Sequence, residues 1–186
     1  MIVAIIIGCI ILLVIIFVWS SYNGLVKLNE RVNEAWSDIT VQLKRRSDLI
    51  PNLVETVKGY AKHEKSAIDA VSEARAKMMG ARTVKATAEA DKSFMGALSR
   101  LMAISEAYPE LKANENFKQL SSELSDTEDK IQAARRFYNA GAKELNTKIK
   151  MFPVNLFKGF GFKAREYYEV ADDEKAKIQD APEVKF

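Results

Sequence analysis

Residues 2–19 read IVAIIIGCIILLVIIFVW, a run of eighteen residues without a charged side chain. At about 1.5 Å per residue, a helix of this length nearly matches the ~30 Å hydrocarbon core of a bilayer. Leucine, isoleucine, valine and phenylalanine each favour insertion by roughly 0.3–0.6 kcal/mol near the helix centre. The run therefore predicts a transmembrane anchor over residues 1–21, with Trp19 and Tyr22 at its membrane interface.

Two other kinds of N-terminal segment resemble this one in composition. A cleaved secretory signal has basic residues before its apolar core and small residues at the cleavage site. Here no basic side chain precedes Lys27, and no A-x-A pattern follows the apolar run. Gly8-Cys9 has the rough shape of a lipoprotein signal, but the apolar run before Cys9 is short and continues after it. The sequence favours an uncleaved signal anchor.

The composition excludes several function classes. The chain has 28 Lys and Arg residues against 25 Asp and Glu residues, and they are interspersed, so no basic stripe predicts nucleic-acid binding. The single cysteine, Cys9, lies in the anchor, and His63 is the single histidine, which excludes a disulfide within the chain and a histidine metal cluster. No nucleophile–histidine pair or phosphate-binding glycine loop is present. We predict no enzymatic activity and no cofactor.

Basic residues follow the anchor rather than precede it. Lys27 and Arg31 lie just after it and Lys44-Arg45-Arg46 come further on, whereas the N-terminal side carries only the α-amino group. Because positive charge near a span is retained inside the cell, we expect a single-pass protein with its domain in the cytoplasm.

Apolar residues recur at three-four spacing through the segments that follow, which predicts helices. Pro51 is expected to end the first helix after Ile50, because proline disfavours helical backbone in the preceding residue and suits the first turn of a new helix. The last helix has the cleanest heptad, as in a coiled coil. The predicted helices cover approximately residues 22–50, 51–79, 84–107 and 114–152. Short connections make the all-α domain at 22–152 an antiparallel up-down four-helix bundle.

The composition changes after Pro153. Residues 153–170 form an aromatic segment expected near the membrane, and residues 171–186 form a flexible acidic tail. The phenylalanines either contact lipid headgroups together with Lys158 or cover the lower end of the bundle core, and the sequence leaves both open. The candidate membrane-interface residues are Trp19, Tyr22, Phe152, Phe157, Lys158, Phe160 and Phe162.

Polar residues around Pro51 form a second candidate site. In an up-down bundle, the turn at 46–52 and the loop at 108–116 lie together at the membrane-distal tip and form one patch that could dock a protein. The candidate residues are Arg45, Arg46, Asp48, Pro51, Asn52, Tyr108, Pro109, Lys112 and Asn114. The alternative is structural: Arg45, Arg46, Asp48, Asn52 and Glu64 form an ion network between helices with Arg135 or Arg136, since buried charges need partners.

Five sequence stretches resemble the LemA family of bacterial membrane-anchored proteins. They are KRRSDLIPNLVETVKGYAKHE at 44–64, EAWSDI at 34–39, YPELKANENF at 108–117, ARRFYN at 134–139 and FPVNLF at 152–157. YNGLV at 22–26 and GF at 161–162 add to the resemblance, whereas ELN at 144–146 departs from it where an aromatic residue is expected before the asparagine. The resemblance extends over almost the whole chain. It implies an anchor in the bacterial inner membrane followed by an antiparallel four-helix bundle, in a family often found with membrane proteases and stress-related envelope proteins, and it implies no established activity.

Together these features predict a membrane-anchored, non-enzymatic helical scaffold or adaptor. Its expected partners are the lipid bilayer, an envelope protein and further copies of itself. Two alternatives remain: an oligomeric membrane-shaping or lipid-binding protein, and an accessory subunit of a membrane hydrolase.

Overall fold

The computed structural model of the chain describes residues 1–156 and 161–169. Within these residues it contains no strand and five helices, so the predicted all-α class is confirmed. The helices are α1 (Ile2–Tyr60), α2 (Lys65–Gly80), α3 (Val84–Ala107), α4 (Pro109–Ala113) and α5 (Glu115–Lys150).

Helix α1 contains both the apolar anchor and a core helix of the domain. Every side chain from Met1 to Ser20 is exposed, and this part is long and apolar enough to cross a membrane. From Leu25 onward the helix buries one side at heptad spacing. The buried apolar residues are Leu25, Leu28, Val32, Ala35, Ile39, Leu43, Ile50, Leu53, Val54 and Val57. One unbroken helix therefore joins the candidate span to the core.

Helix α1 passes through Pro51 and ends at Tyr60, so the predicted helix end at Ile50 is wrong. Proline in a helix interior leaves the carbonyl four residues earlier without its backbone donor. That carbonyl belongs to Ser47, and the Arg75 side chain on α2 donates to it from Nε at 2.8 Å. This hydrogen bond satisfies the Ser47 carbonyl, and the chain reverses instead at residues 61–64.

Helices α1 and α5 form the most extensive pair in the domain. Three contacts define their register: Tyr60 with Asn114 (3.0 Å between Oη and Nδ2), Arg46 with Glu128 (2.6 Å between Nη1 and Oε2), and Val32 with Gly141. A Cβ at Gly141 would lie 3.2 Å from Val32 Cγ2, so glycine permits a close approach there. In these three pairs the residue number in α5 falls as the residue number in α1 rises, so the two helices run in opposite directions. The end of α5 therefore lies beside the part of α1 that follows the apolar run.

Helices α2 and α3 cover the upper part of α1. The turn between them lies beside the middle of α1, where Trp36, Lys44, Met79 and Arg82 are among the residues that line a cavity of about 270 Å³. Thr83 begins α3 as its N-cap, because its hydroxyl accepts a hydrogen bond from the Ala86 amide at 3.1 Å. Below this turn the described α1–α5 pair is covered by residues 161–169, which we call the strap.

The strap begins beside the part of α1 that follows the candidate span and runs along α1 away from that span. Phe162 packs edge-on against Tyr22, with ring centroids 5.7 Å apart, and Tyr168 reaches Trp36, with ring centroids 6.3 Å apart. Tyr22 and Trp36 are separated by about 21 Å along an ideal helix. The strap therefore extends along α1 away from the candidate span, and the position of residues 153–170 near the membrane stays a prediction.

Candidate interaction sites

Arg46 is fully buried on the heptad face of α1, with 0% of its surface exposed. Its guanidinium donates to the carboxylates of Asp91 on α3 and Glu128 on α5, and it lies 5.0 Å from the centre of the Phe94 ring. A buried charge is tolerated only with such partners. Arg46 is thus a core residue that links three helices.

The ion network that the sequence suggested is different in its members. Arg45, Asp48 and Asn52 are exposed, and they take no part in the Arg46 cluster. Arg135 lies beside the cluster, with its guanidinium 4.8 Å from the centre of the Tyr168 ring. The acidic members Asp91 and Glu128 come from distant parts of the chain.

Tyr168 connects the strap to the buried cluster. Its hydroxyl donates to Asp91 Oδ2 at 2.8 Å, and its ring is fully buried beside Trp36. Burial raises the pKa of Tyr168 above its usual range, and the neighbouring Asp91 carboxylate raises it further. The protonated hydroxyl is therefore favoured, and it is the form that can donate to Asp91.

Two asparagines on α5 hold the backbone of the strap. Asn146 accepts from the Arg165 amide at 2.7 Å and donates to its carbonyl at 2.9 Å. Asn139 does the same for Tyr168, at 2.8 Å and 2.9 Å. Seven helical residues rise about 10.5 Å and three extended residues span about 10 Å. The two spacings match, so this pair of asparagines holds an extended segment in one register.

Further contacts hold the strap on either side. The Tyr138 hydroxyl donates to the Glu166 carbonyl at 2.8 Å, and burial raises the pKa of Tyr138. The Arg165 side chain donates from Nη2 to Asn29 Oδ1 at 2.9 Å and to Asn33 Oδ1 at 2.7 Å. The strap is therefore bonded to both α1 and α5.

The far end of α1 meets the α3–α4–α5 turn, and we call this region the tip. Asn114 begins α5, accepting from the Phe117 amide at 3.0 Å, and its side-chain amide also donates to Tyr60. Lys112 pairs with Glu106 at 2.7 Å. Four of the predicted patch residues lie here: Tyr108, Pro109, Lys112 and Asn114. Tyr60 is 41 residues beyond Trp19, or about 62 Å along a straight helix.

The other predicted patch residues lie on α1 below the tip. Asn52 is about 12 Å and Arg45 about 22 Å from Tyr60 along the helix axis. Arg45, Asp48, Pro51 and Asn52 are exposed there, Lys44 pairs with Asp48 at 2.9 Å, and Arg46 is buried. The prediction of one continuous patch from the two chain reversals is therefore wrong, because the first reversal occurs after Tyr60.

The region where α5 ends beside the start of the domain is the base. Met151, Phe152 and Leu156 are 57%, 78% and 71% exposed, whereas Val154 and Phe162 pack against the core. The described residues thus divide between the two predicted roles, since Phe162 covers the core and Phe152 faces outward. Phe157, Lys158 and Phe160 lie outside the described residues.

Sequence reasoning missed the residues that organise the strap. Asp91, Asn139, Asn146 and Tyr168 were not among the predicted site residues. The sequence feature that could have indicated the strap is the pair Asn139 and Asn146, which lie seven residues apart on α5, the helix with the clearest heptad pattern. Within the described ranges, no three side chains of His, Cys, Asp or Glu are grouped in a way that could hold a metal ion.

Comparison with known proteins places the chain in a family. The model of the LemA family matches residues 35–186. The chain belongs to the LemA family. One similar relative is magnetosome protein MamQ 1 of Paramagnetospirillum magneticum, which is 30% identical over 175 residues, covering 80% of this chain and 64% of that protein. Another is magnetosome protein MamQ of Magnetospirillum gryphiswaldense, which is 30% identical over 174 residues, covering 79% of this chain and 64% of that protein. Protein LemA of Metamycoplasma hominis is 29% identical over 134 residues, 72% and 61%.

This LemA-family chain spans less than two thirds of the length of those curated relatives. Their names state no reaction. Family membership and the apolar N-terminal helix fit a membrane-associated protein.

Proposed function

We propose that this LemA-family protein is a membrane-anchored, non-enzymatic helical scaffold that presents its tip to an envelope protein. The observation that carries the proposal is the continuity of α1, which leads from the candidate span to the tip without a break. A rigid helix of this kind sets the distance between the bilayer and a docking surface at about 62 Å.

The scaffold is an up-down four-helix bundle of α1, α2, α3 and α5, anchored by a single pass in the bacterial inner membrane. The register of α1 against α5 and the position of the α2–α3 turn support this topology. Lys27 and Arg31 favour a cytoplasmic domain under the positive-inside rule.

The docking surface is the exposed part of the tip. Tyr108 is half-buried against the core and Asn114 caps α5, so changing either of them would disturb folding. Pro109, Glu110 and Lys112 are exposed beside them. A partner from membrane protease or envelope stress systems fits the company in which the family is found.

In-cell photocrosslinking tests the tip. A photoreactive residue at Glu110 in the full chain should capture a specific protein, whereas the same residue at Val41, which is 57% exposed on the flank of α1, should not. Lys112→Glu should reduce the capture from position 110. Identical products from positions 110 and 41 would exclude a docking role for the tip.

A second candidate function is lipid binding at the base by copies that associate. The exposure of Met151, Phe152 and Leu156 favours it, because exposed apolar groups mark interaction sites. Phe152→Ser with Leu156→Ser should then reduce crosslinking between copies or membrane deformation while leaving the tip-specific capture intact. If crosslinking between copies and membrane deformation were both unchanged, the second candidate function would be excluded and the scaffold function would remain.

A further inference from the structure

The base carries a set of like charges in addition to its exposed apolar residues. In the described segments nearest the anchor, residues 20–29, 145–156 and 161–164, the charged side chains are four lysines and no acidic residue. They are Lys27, Lys148, Lys150 and Lys163, and all four are exposed. We call these four residues the lysine collar.

The collar lies next to the C-terminal end of the candidate span. Lys27 is about 12 Å beyond Trp19 along α1. The α1–α5 register places Lys150 beside residues 23–24 and Lys148 about one half-turn higher. Lys163 follows Phe162, which packs on Tyr22. A lysine side chain can extend toward the headgroups while its methylenes stay on apolar surface.

The exposed apolar residues lie on the same side of the molecule as the collar. Met151, Phe152 and Leu156 follow Lys150 directly and carry no charge between them. Apolar groups beside basic ones are the composition of segments that bind the interfacial region of a membrane. Uncharged lipids would account for the apolar residues alone, whereas the four lysines, with Glu30 and Glu144 as the first carboxylates above them, favour negative charge.

We propose that the base is a binding surface for anionic phospholipids, in which the lysine collar contacts their phosphates while Met151, Phe152 and Leu156 enter the interface. This proposal rests on the membrane anchoring in the proposed function and adds the class of lipid. The α1–strap cavity of about 340 Å³ beside the collar is lined in part by Tyr22, Lys163, Arg165 and the acidic Glu30, so the anionic lipids are assigned to the exposed collar and not to this cavity.

The test uses the full chain in nanodiscs made of phosphatidylcholine with and without phosphatidylglycerol. A Cys9→Ala, Leu156→Cys variant carries an environment-sensitive fluorophore at position 156, and spin-labelled lipids report its depth. Lipids that remain bound after detergent extraction are quantified for the same protein. The collar variant is Lys27→Gln, Lys148→Gln, Lys150→Gln and Lys163→Gln.

The control variant removes four exposed lysines far from the base: Lys62→Gln, Lys65→Gln, Lys85→Gln and Lys130→Gln. It changes the net charge by the same amount. The wild type and the control should retain phosphatidylglycerol in preference to phosphatidylcholine. The collar variant should lose that preference by about fivefold or more, because each lysine near an anionic surface contributes on that scale.

Two results would overturn the proposal, and they differ in meaning. If spin-labelled lipids do not quench the fluorophore at position 156, contact between the base and the membrane is excluded. Quenching together with equal lipid preference in the wild type and the collar variant would leave the apolar contact and exclude selection of anionic lipids by the lysine collar.

Discussion

Arg46 shows how a charged residue can serve as a core residue. It occupies a heptad position between Leu43 and Ile50, and its carboxylate partners come from α3 and α5. Its Nε atom is buried without a hydrogen-bond partner in the structure, so the cluster is not fully satisfied. Such a cluster costs more to break than it contributes as a pair.

We predict that Arg46→Ala lowers the free energy of unfolding by about 3–5 kcal/mol, because Asp91 loses its buried partner. Arg46→Met combined with Asp91→Leu should cost less than the sum of the two single changes. Urea denaturation followed by circular dichroism in detergent measures both. Arg45→Ala, an exposed neighbour, should stay within about 0.5 kcal/mol of wild type, and a loss there equal to that of Arg46→Ala would contradict the assignment.

Tyr168 should make stability sensitive to alkali. Because burial raises its pKa in the folded state, the unfolded chain ionises first as pH rises above about 10. The stabilisation by the protonated hydroxyl is therefore present below that pH and is lost progressively above it. The difference in unfolding midpoint between wild type and Tyr168→Phe should shrink above pH about 10. A constant difference across that range would disprove the link.

At the scale of elements, the strap is a segment whose attachment to α5 depends on the two asparagines Asn139 and Asn146. Each one replaces two backbone hydrogen bonds that a β-strand partner would otherwise provide. Asn139 and Asn146 contact the strap through its main chain, so they fix its position without depending on strap side chains.

Asn146→Ala should release the lower strap, at a cost of about 1–3 kcal/mol for two hydrogen bonds. Amide exchange at Arg165 should accelerate more than amide exchange at core positions of α5. Lys143→Ala, on an exposed position of the same helix, is the matched control. Protection at Arg165 that survives Asn146→Ala would mean that other contacts hold the strap.

Pro51 and Arg75 form an energetic pair across two helices. Arg75→Ala should destabilise by about 1–3 kcal/mol, because it leaves the Ser47 carbonyl without a donor. In a Pro51→Ala background the new amide can donate to that carbonyl, so the same change should cost less. A double-mutant cycle measures the coupling, and additive effects would show that the two residues act independently.

Pro51 also explains where sequence reasoning succeeds and fails at this scale. The heptad residues of α1 and α5 are local in sequence, so periodicity finds them. The donor that replaces the missing amide of Pro51 is Arg75, which lies 28 residues after Ser47, the residue whose carbonyl it serves. A local rule for proline therefore ends the helix too early, and for that reason residues 46–52 were predicted to form a turn. The strap was missed for the same reason, because its partners lie 19–29 residues away on α5.

At the scale of the molecule, the continuous helix from Trp19 to Tyr60 gives a measurable height. In nanodiscs, a donor at Lys62→Cys in a Cys9→Ala background should lie about 60 Å from acceptor lipids in the adjacent leaflet surface. Asn23→Pro should break the helix next to the span and shorten or broaden that distance. An unchanged narrow distance distribution in Asn23→Pro would show that the domain, and not α1, sets the height.

Helix α1 is shared by the candidate span and the core, so a tilt of the span would move the whole domain. Bilayers of different thickness change the tilt of a span. With a lever of about 62 Å, a tilt change of about 10° displaces the tip by about 11 Å parallel to the membrane. A partner held at the tip would thus be moved by a change in lipid thickness, and contacts of the base with headgroups would act as the stop that limits the swing.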